Sequence, residues 1–366
     1  TIFKLRYQSD TEFFVNPIEY NKIPNKGRFM NEEQYLSRIR QLEEEIEYLH
    51  SLLNDAGISY ELEVKESEDF SPDRNPAFEE AQGDRILPVK ITKQHVQYFY
   101  HLFKGRNDVY SKRSGKVNKK TGKHGYYTQC WNFWKDEICP KKDNPQFHCG
   151  ECRNQRYKEL TGQVLYEHLL GVKEDASDVI GLYPMFPDEM INFLVFDFDC
   201  HDELNGGDDG ANIDSEWVAE VNAFRKICEN NEVPILLERS RSGKGAHIWI
   251  FFEKPILASI ARRFGTALLT QGAESVNMRS FKYYDRMLPA QDHLPINTKT
   301  GKPGLGNLVA LPLQGQALKH GNSAFVDENW NAYPNQWDCL REIKKLSTET
   351  VEKKIQEWSL SGILGV

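Results

Sequence analysis

The chain is short of several things, and each shortage excludes a class of protein. No stretch approaches the roughly 18 consecutive apolar residues of a membrane-spanning helix, and no charged-then-apolar leader opens it. A membrane partner is therefore not expected, and the cytoplasm is the expected location. The first residue is Thr1 rather than Met, which reads as a processed or trimmed start. There is no surplus of positive charge: the net formal charge is -8. A nucleic-acid partner would have to be met by a local basic surface, because the whole-protein field repels phosphate. Cysteine is scarce, with seven residues, and four of these lie between Cys130 and Cys152. Such bunching without an export signal points to metal ligation before disulfides. What is present suffices for a fold. Hydrophobic residues at 39% and aromatics at 12% exclude wholesale disorder, and 366 residues leave room for two or three domains.

Residues 1–60 contain a heptad seam, Tyr35, Ile39, Leu42, Ile46, Leu49 and Leu53, opened by an Asn31 cap with Gln34 and closed by Gly57. It suits a two-stranded coiled coil that makes a homodimer, or an amphipathic helix lying on its own domain. Residues 61–88 are acidic and turn-rich and read as a linker. Residues 89–345 read as one catalytic core, and 346–366 as a C-terminal helix. Within the core, Lys104, Arg106, Lys112, Arg113, Lys116, Lys119, Lys120 and Lys123 face a single acid, Asp108. That run is either a solvated loop or a contact for nucleic acid. Cys130, Cys139, Cys149 and Cys152 end in a CxxC knuckle and predict a closed, structural Zn²⁺ site in a module over 126–158, with His148 as an alternative ligand. Trp131, Phe133, Trp134 and Phe147 are expected to compensate for the module's thin core.

From Thr161 onward, helix and strand signals alternate and predict an α+β or α/β core. Strands are expected over 179–186, 191–199, 234–238, 247–253 and 307–313, and helices over 164–170, 217–230 and 258–270. The strand at 191–199 ends in Asp197 and Asp199, which alternation sends to one face. Two carboxylates held that close repel unless a cation lies between them, and a divalent metal is the usual solution. As strand-end acids capping a loop they would be costly beside Phe196 and Phe198. A nucleophilic Asp of the haloacid-dehalogenase kind is disfavoured by Cys200-His201-Asp202 immediately after. Ser240–His247 is a glycine-rich loop without the GK[ST] ending of a P-loop. Its Gly243 and Gly245 allow backbone N–H groups to approach an anion, and Arg241, Lys244 and His247 suit phosphate oxygens. Asp285 is the best candidate for a third acid, with Asp292 as the runner-up.

In this order, several segments resemble one family. They are Leu102–Tyr110, the four-cysteine segment, Ile180–Pro184, Val195–Asp199, Ser240–Trp249, Tyr284–Pro289 and Gly304–Gln314. The chain is identified by them as similar to archaeo-eukaryotic primases, and most closely to the primase-polymerases of TOTE conflict systems and the related CRISPR-associated enzymes. The resemblance runs over about residues 88–345. It implies a primase core with an N-terminal αβ unit and a unit like an RNA-recognition motif. It implies Asp197, Asp199 and Asp285 as ligands for two Mg²⁺ or Mn²⁺ ions. It also implies His247, helped by Ser242 and Lys244, as the grip on a nucleoside triphosphate, with Lys319 and His320 as further phosphate contacts. Gly245 stands where many primases carry Ser, so a backbone contact is expected there. Lys104, Arg106, Lys112 and Arg113 would meet a single-stranded DNA template or primer. The implied activity is de novo primer synthesis and extension from NTPs or dNTPs, alongside helicase, nuclease or CRISPR partners. The rival readings are a metal-dependent nuclease or phosphoesterase using the same acids, and a non-catalytic zinc-containing nucleic-acid binding module.

Overall fold

The computed structural model describes residues 91–360, apart from 120, 121, 148, 201–214, 274–277, 279, 298–300 and 302. The heptad segment, the acidic linker, His148 and the acids Asp202, Glu203, Asp208, Asp209 and Asp214 lie outside the described residues. So do the last six residues of the expected C-terminal helix.

The described elements are α1 (Lys93–Leu102), β1 (Ser111–Val117), β2 (His124–Thr128), α2 (Gly162–Leu170), β3 (Ile180–Leu182), β4 (Met190–Asp199), α3 (Glu216–Asn230), β5 (Leu236–Arg239) and β6 (Gly245–Leu257). They continue with α4 (Ala258–Gly272), β7 (Tyr284–Leu288), β8 (Val309–Ala310), α5 (Gly315–Leu318), β9 (Ala324–Phe325), α6 (Gln336–Glu342) and α7 (Thr348–Leu360). The protein is α+β. One antiparallel sheet has the order β2-β1-β3-β8, and a second has the order β7-β4-β6-β5-β9. In the second sheet the chain runs β4-α3-β5-β6-α4-β7, with strand order 4-1-3-2 among those four, the split βαβ arrangement of ferredoxin-like units.

Period-two alternation along β4 and β6 divides the interior into two cores. Leu194, Phe196 and Phe198, with Ile248, Ile250 and Phe252, pack with α3 and α4 through Phe224, Ala261 and Phe264. Phe193 and Val195, with Trp249 and Phe251, point the other way, to Phe99 and Phe103 at α1 and to Ile180 and Leu182 of β3. Each fully buried aromatic stabilises the fold by roughly 1.5–3 kcal/mol. Both faces of β4 are thus covered along most of its length. Only at its end does the second face turn polar, at Asp197 and Asp199.

The expected helices agree with α2, α3 and α4 to within a few residues. Two strand expectations need correction. The run at 179–186 forms a strand only over Ile180–Leu182, and the run at 307–313 only over Val309–Ala310. Pro184 and Pro312 explain this, because neither can donate to a ladder. The basic run is not simply a solvated loop: Ser111–Val117 pairs with both β2 and β3.

Candidate active site

Asp197 sits near the end of β4, directly opposite His247 of β6 on one side and Arg286 of β7 on the other. Cross-strand partners share a face, so the three side chains meet on the second face of the sheet. Asp197 Oδ1 lies 3.5 Å from His247 Nε2, and its Oδ2 lies 3.7 Å from Arg286 Nε. Asp285 reaches this face through an irregularity. The register shifts between Asp197 and Phe198, so Arg286 pairs with Asp197, Tyr284 pairs with Phe198, and Asp285 is the extra residue between them. A bulge of that kind re-aims a side chain that plain alternation would send to the opposite core. Asp285 Oδ2 accepts from Arg286 Nε at 2.7 Å. The side-chain bond from Asp285 raises the Arg286 pKa, and the charges of Asp285, Asp197 and Asp199 add to the effect. Arg286 is therefore the cation amid all three acids.

His247 is held from behind. Its Nδ1 lies 2.9 Å from Glu238 Oε2, which also accepts from Trp249 Nε1 at 2.8 Å. Burial alone would depress the imidazole pKa, but the Glu238 and Asp197 carboxylates outweigh it and raise the pKa well above 6.5. His247 is accordingly an imidazolium, donating toward a carboxylate from each ring nitrogen. Sequence reasoning missed Glu238. The signal was an acid directly after the apolar run Ile235-Leu236-Leu237 and within β5, where a carboxylate must find a donor. It also missed Glu220. That buried α3 carboxylate accepts the backbone N–H groups of Lys282, Tyr283 and Tyr284 at 3.0, 3.2 and 2.8 Å, fixing the segment that carries Asp285.

The Ser240–Lys244 loop is the turn of the β5–β6 hairpin. Gly243 takes φ +74° and donates its N–H to Ser240 O at 3.0 Å, while Lys244 N–H donates to Ser242 Oγ at 3.3 Å. Those two backbone donors serve the turn. Gly245 has a packing reason: a Cβ there would lie 2.2 Å from Phe198 O. Arg241 bonds the Tyr126 hydroxyl and stands close to Arg113. Burial first, and then the Arg241 charge, lower the Arg113 pKa. Lys319 caps α5 and donates to Gln316 Oε1 at 2.9 Å. His320 beside it is exposed.

The four residues expected at nucleic acid are placed differently from one another. Lys104 is exposed. Arg106 is buried and gripped by Asp108, with Nε–Oδ1 at 2.9 Å. Lys112 lies 3.5 Å from Glu167 Oε2. Arg113 is buried and donates to Asp175 O at 2.9 Å. Asp292, the runner-up for the third acid, pairs with Arg262 Nε at 2.6 Å, whereas Asp285 pairs with Arg286 beside Asp197.

Among the described residues, no group of three or more His, Cys, Asp or Glu side chains is arranged to hold a metal ion. At the acids, Asp285 turns to Arg286, which supplies the positive charge there. The donor set itself is all carboxylate oxygen, the kind that Mg²⁺ or Mn²⁺ takes. The four cysteines are free thiols. Burial raises the Cys149 pKa most, and Cys139, Cys152 and Cys130 raise it further.

Asp197, Asp285, His247 and Arg286 thus share one sheet face, in a chain whose family is nucleotidyltransferase-like. The family can be stated outright: the chain belongs to the archaeo-eukaryotic primase domain of the TOTE conflict system, whose sequence model matches residues 94–354. A search of curated proteins finds no relative of this chain. Among solved structures, the polymerase domain from Mycobacterium tuberculosis Ligase D in complex with DNA is similar over 73% of this chain and 89% of that one. At 12% identity and a TM-score of 0.31, that likeness is too distant to carry an argument. Among the described residues, no helix is long and apolar enough to cross a membrane.

Proposed function

We propose that this chain is a DNA-dependent primase-polymerase that builds primers de novo on a single-stranded template and extends them with NTPs or dNTPs. The supporting observation is that Asp197, His247 and the Asp285–Arg286 pair meet on one sheet face from three adjacent strands. Asp197, Asp199 and Asp285 would hold Mg²⁺ or Mn²⁺, which when bound stabilises the attacking and leaving oxygens. His247, kept cationic by Glu238, grips the triphosphate. Arg241, Ser242 and Lys244 on the adjoining hairpin turn, and Lys319 beside it, add phosphate contacts. Gly245 lets the two strands close so that His247 stands opposite Asp197. The 3′-hydroxyl of the primer, or of the first nucleotide, attacks the α-phosphate, and the bond to pyrophosphate breaks. Lys104, with Arg106, Lys112 and Arg113, lies on the template side, and Cys130, Cys139, Cys149 and Cys152 form a structural Zn²⁺ site.

The test incubates the protein with an unprimed single-stranded template, Mn²⁺ and labelled nucleotides. Oligomeric product is expected, and it should vanish when Asp197→Ala and Asp199→Ala are combined, with the fold retained. Template degradation without synthesis would instead identify a nuclease or phosphoesterase. Template binding with neither reaction would identify a non-catalytic module. A double variant that still polymerises would refute the site.

A further inference from the structure

The seven tryptophans divide sharply. Trp217, Trp249, Trp330, Trp337 and Trp358 are each 7% exposed or less, whereas Trp131 is 55% exposed and Trp134 is 48% exposed. Phe133 between them is 41% exposed, and Tyr127, at the end of β2, is 48% exposed. Trp131, Phe133 and Trp134 are expected from sequence to fill the core of the cysteine module; the structure turns them to solvent instead. Four large exposed rings fall within eight residues (127–134), and Phe133 and Trp134 pack edge to face with centroids 5.6 Å apart; exposed apolar groups of this kind mark a binding surface.

The chain around the patch says what covers it. Residues 109–135 carry seven Lys or Arg and no Asp or Glu, in a protein of net charge -8. Lys116, Lys119, Lys123 and Lys135 of that stretch are exposed. Across the module, Trp131 N–H donates to Arg156 O at 2.8 Å, and Lys158 Nζ stands 4.8 Å from the centre of the Trp131 ring. A cation already lies against that ring, and Arg153 and Arg156 are exposed nearby in sequence. Aromatic faces interleaved with cations suit an anionic chain whose bases are unpaired, because a ring can stack on a base only when no partner strand covers it. A purely apolar protein partner would leave this concentration of positive charge unmatched. The module also adjoins the catalytic sheet: Asn297, in the segment that follows β7, donates from Nδ2 to Gly150 O at 2.6 Å.

We propose that Trp131, Phe133 and Trp134, with Tyr127 beside them, form a base-stacking platform for single-stranded DNA, framed by the lysines of the β1–β2 hairpin. The proposal rests on the primase-polymerase reading for the identity of the strand, the template, but its chemistry is separate from that of the acids. It is tested on the full chain without nucleotide or divalent ion, using an oligo-dT strand and a strand of the same length in which the central thymines are replaced by abasic sites. The wild type should bind oligo-dT at least about tenfold more tightly than the abasic strand, with quenching of tryptophan fluorescence. Trp131→Ala and Trp134→Ala combined should bind both strands equally, at the level of the wild type on the abasic strand. Equal wild-type affinity for the two strands overturns the platform. So does an unchanged preference in the variant, or a concentration-dependent dimer that buries the patch. Asp197→Ala should leave this binding intact. A wild type that prefers oligo-dT but makes no primer counts against the primase reading alone. A wild type that makes primer but binds the two strands equally counts against the platform alone.

Discussion

Glu238 Oε2 stands 2.9 Å from Nδ1 of His247, and both side chains are nearly buried, 2% and 13% exposed. A carboxylate in that position does more than orient the ring. Together with Asp197 it overcomes the burial that would otherwise neutralise the imidazole, and it keeps the pKa well above 6.5. The positive charge is present below the raised pKa and is lost as pH rises through it. Glu238→Gln keeps the shape and removes one of the two supporting charges. Nucleotide affinity in the variant should fall by about tenfold at neutral pH, the usual scale for a charge-assisted bond. Its decline with rising pH should also begin at a lower pH than in the wild type. Calorimetric titration across pH measures both. A profile superimposable on the wild type would show that Glu238 is only a packing residue.

Arg286 predicts a second, opposite effect. It lies among Asp285, Asp197 and Asp199 and supplies the positive charge at those acids. An incoming divalent ion must therefore displace it. Arg286→Ala should lower the melting temperature in chelator, where the acids then repel one another. It should tighten Mn²⁺ binding several-fold and enlarge the rise in melting temperature on adding Mn²⁺. Weaker Mn²⁺ binding in the variant would contradict this competition.

Much of this was legible in the sequence, but unevenly. Period-two alternation places Asp197 and Asp199 on one face, and the same rule puts Phe196 and Phe198 in the opposite core; no tertiary information is needed for either. The arrival of Asp285 beside them depends on a bulge, which shifts the register by one residue without leaving a mark in the hydrophobic pattern. Arg113 and Arg106 read as nucleic-acid contacts in a basic run. Pairing of β1 with β3 buries the first, and Asp108 two residues on secures the second, an effect of tertiary closure rather than composition. The exposed Trp131 and Trp134 reverse the ordinary rule that large aromatics fill cores, and only coordinates could show that.

The cysteine module yields a compositional test. Cys130, Cys139, Cys149 and Cys152 are free thiols, and burial first, then the neighbouring cysteines, raise the Cys149 pKa. Zn²⁺ would oppose that shift by binding the thiolates. Elemental analysis of protein purified without chelator should find one zinc per chain. Cys149→Ser with Cys152→Ser should abolish it and lower the melting temperature, while synthesis by the remaining folded protein persists. Protein lacking zinc but equally stable would leave the cysteines without a metal role.

His168 makes stability depend on pH. It lies buried on α2, where its Nδ1 accepts from Ile180 N–H at 3.3 Å and its Nε2 donates to Pro312 O at 2.9 Å. It thereby ties α2 to β3 and to the chain just beyond β8. Burial pushes its pKa down to about 4, against 6.5 in an unfolded chain. The unfolded state therefore binds a proton more readily than the folded one. The contribution is fully present above pH 6.5 and is lost as pH falls from there toward 4. Two to three units correspond to a loss on the order of 3 kcal/mol across that window. Denaturant unfolding of the wild type should show this decline, superimposed on whatever the other groups contribute. His168→Gln should be less stable at pH 7 by about 1–3 kcal/mol through its disturbed hydrogen bonds. Its stability should also vary less between pH 6.5 and 4, because Gln does not titrate. Parallel curves for the two proteins over that range would show that His168 is not the group responsible.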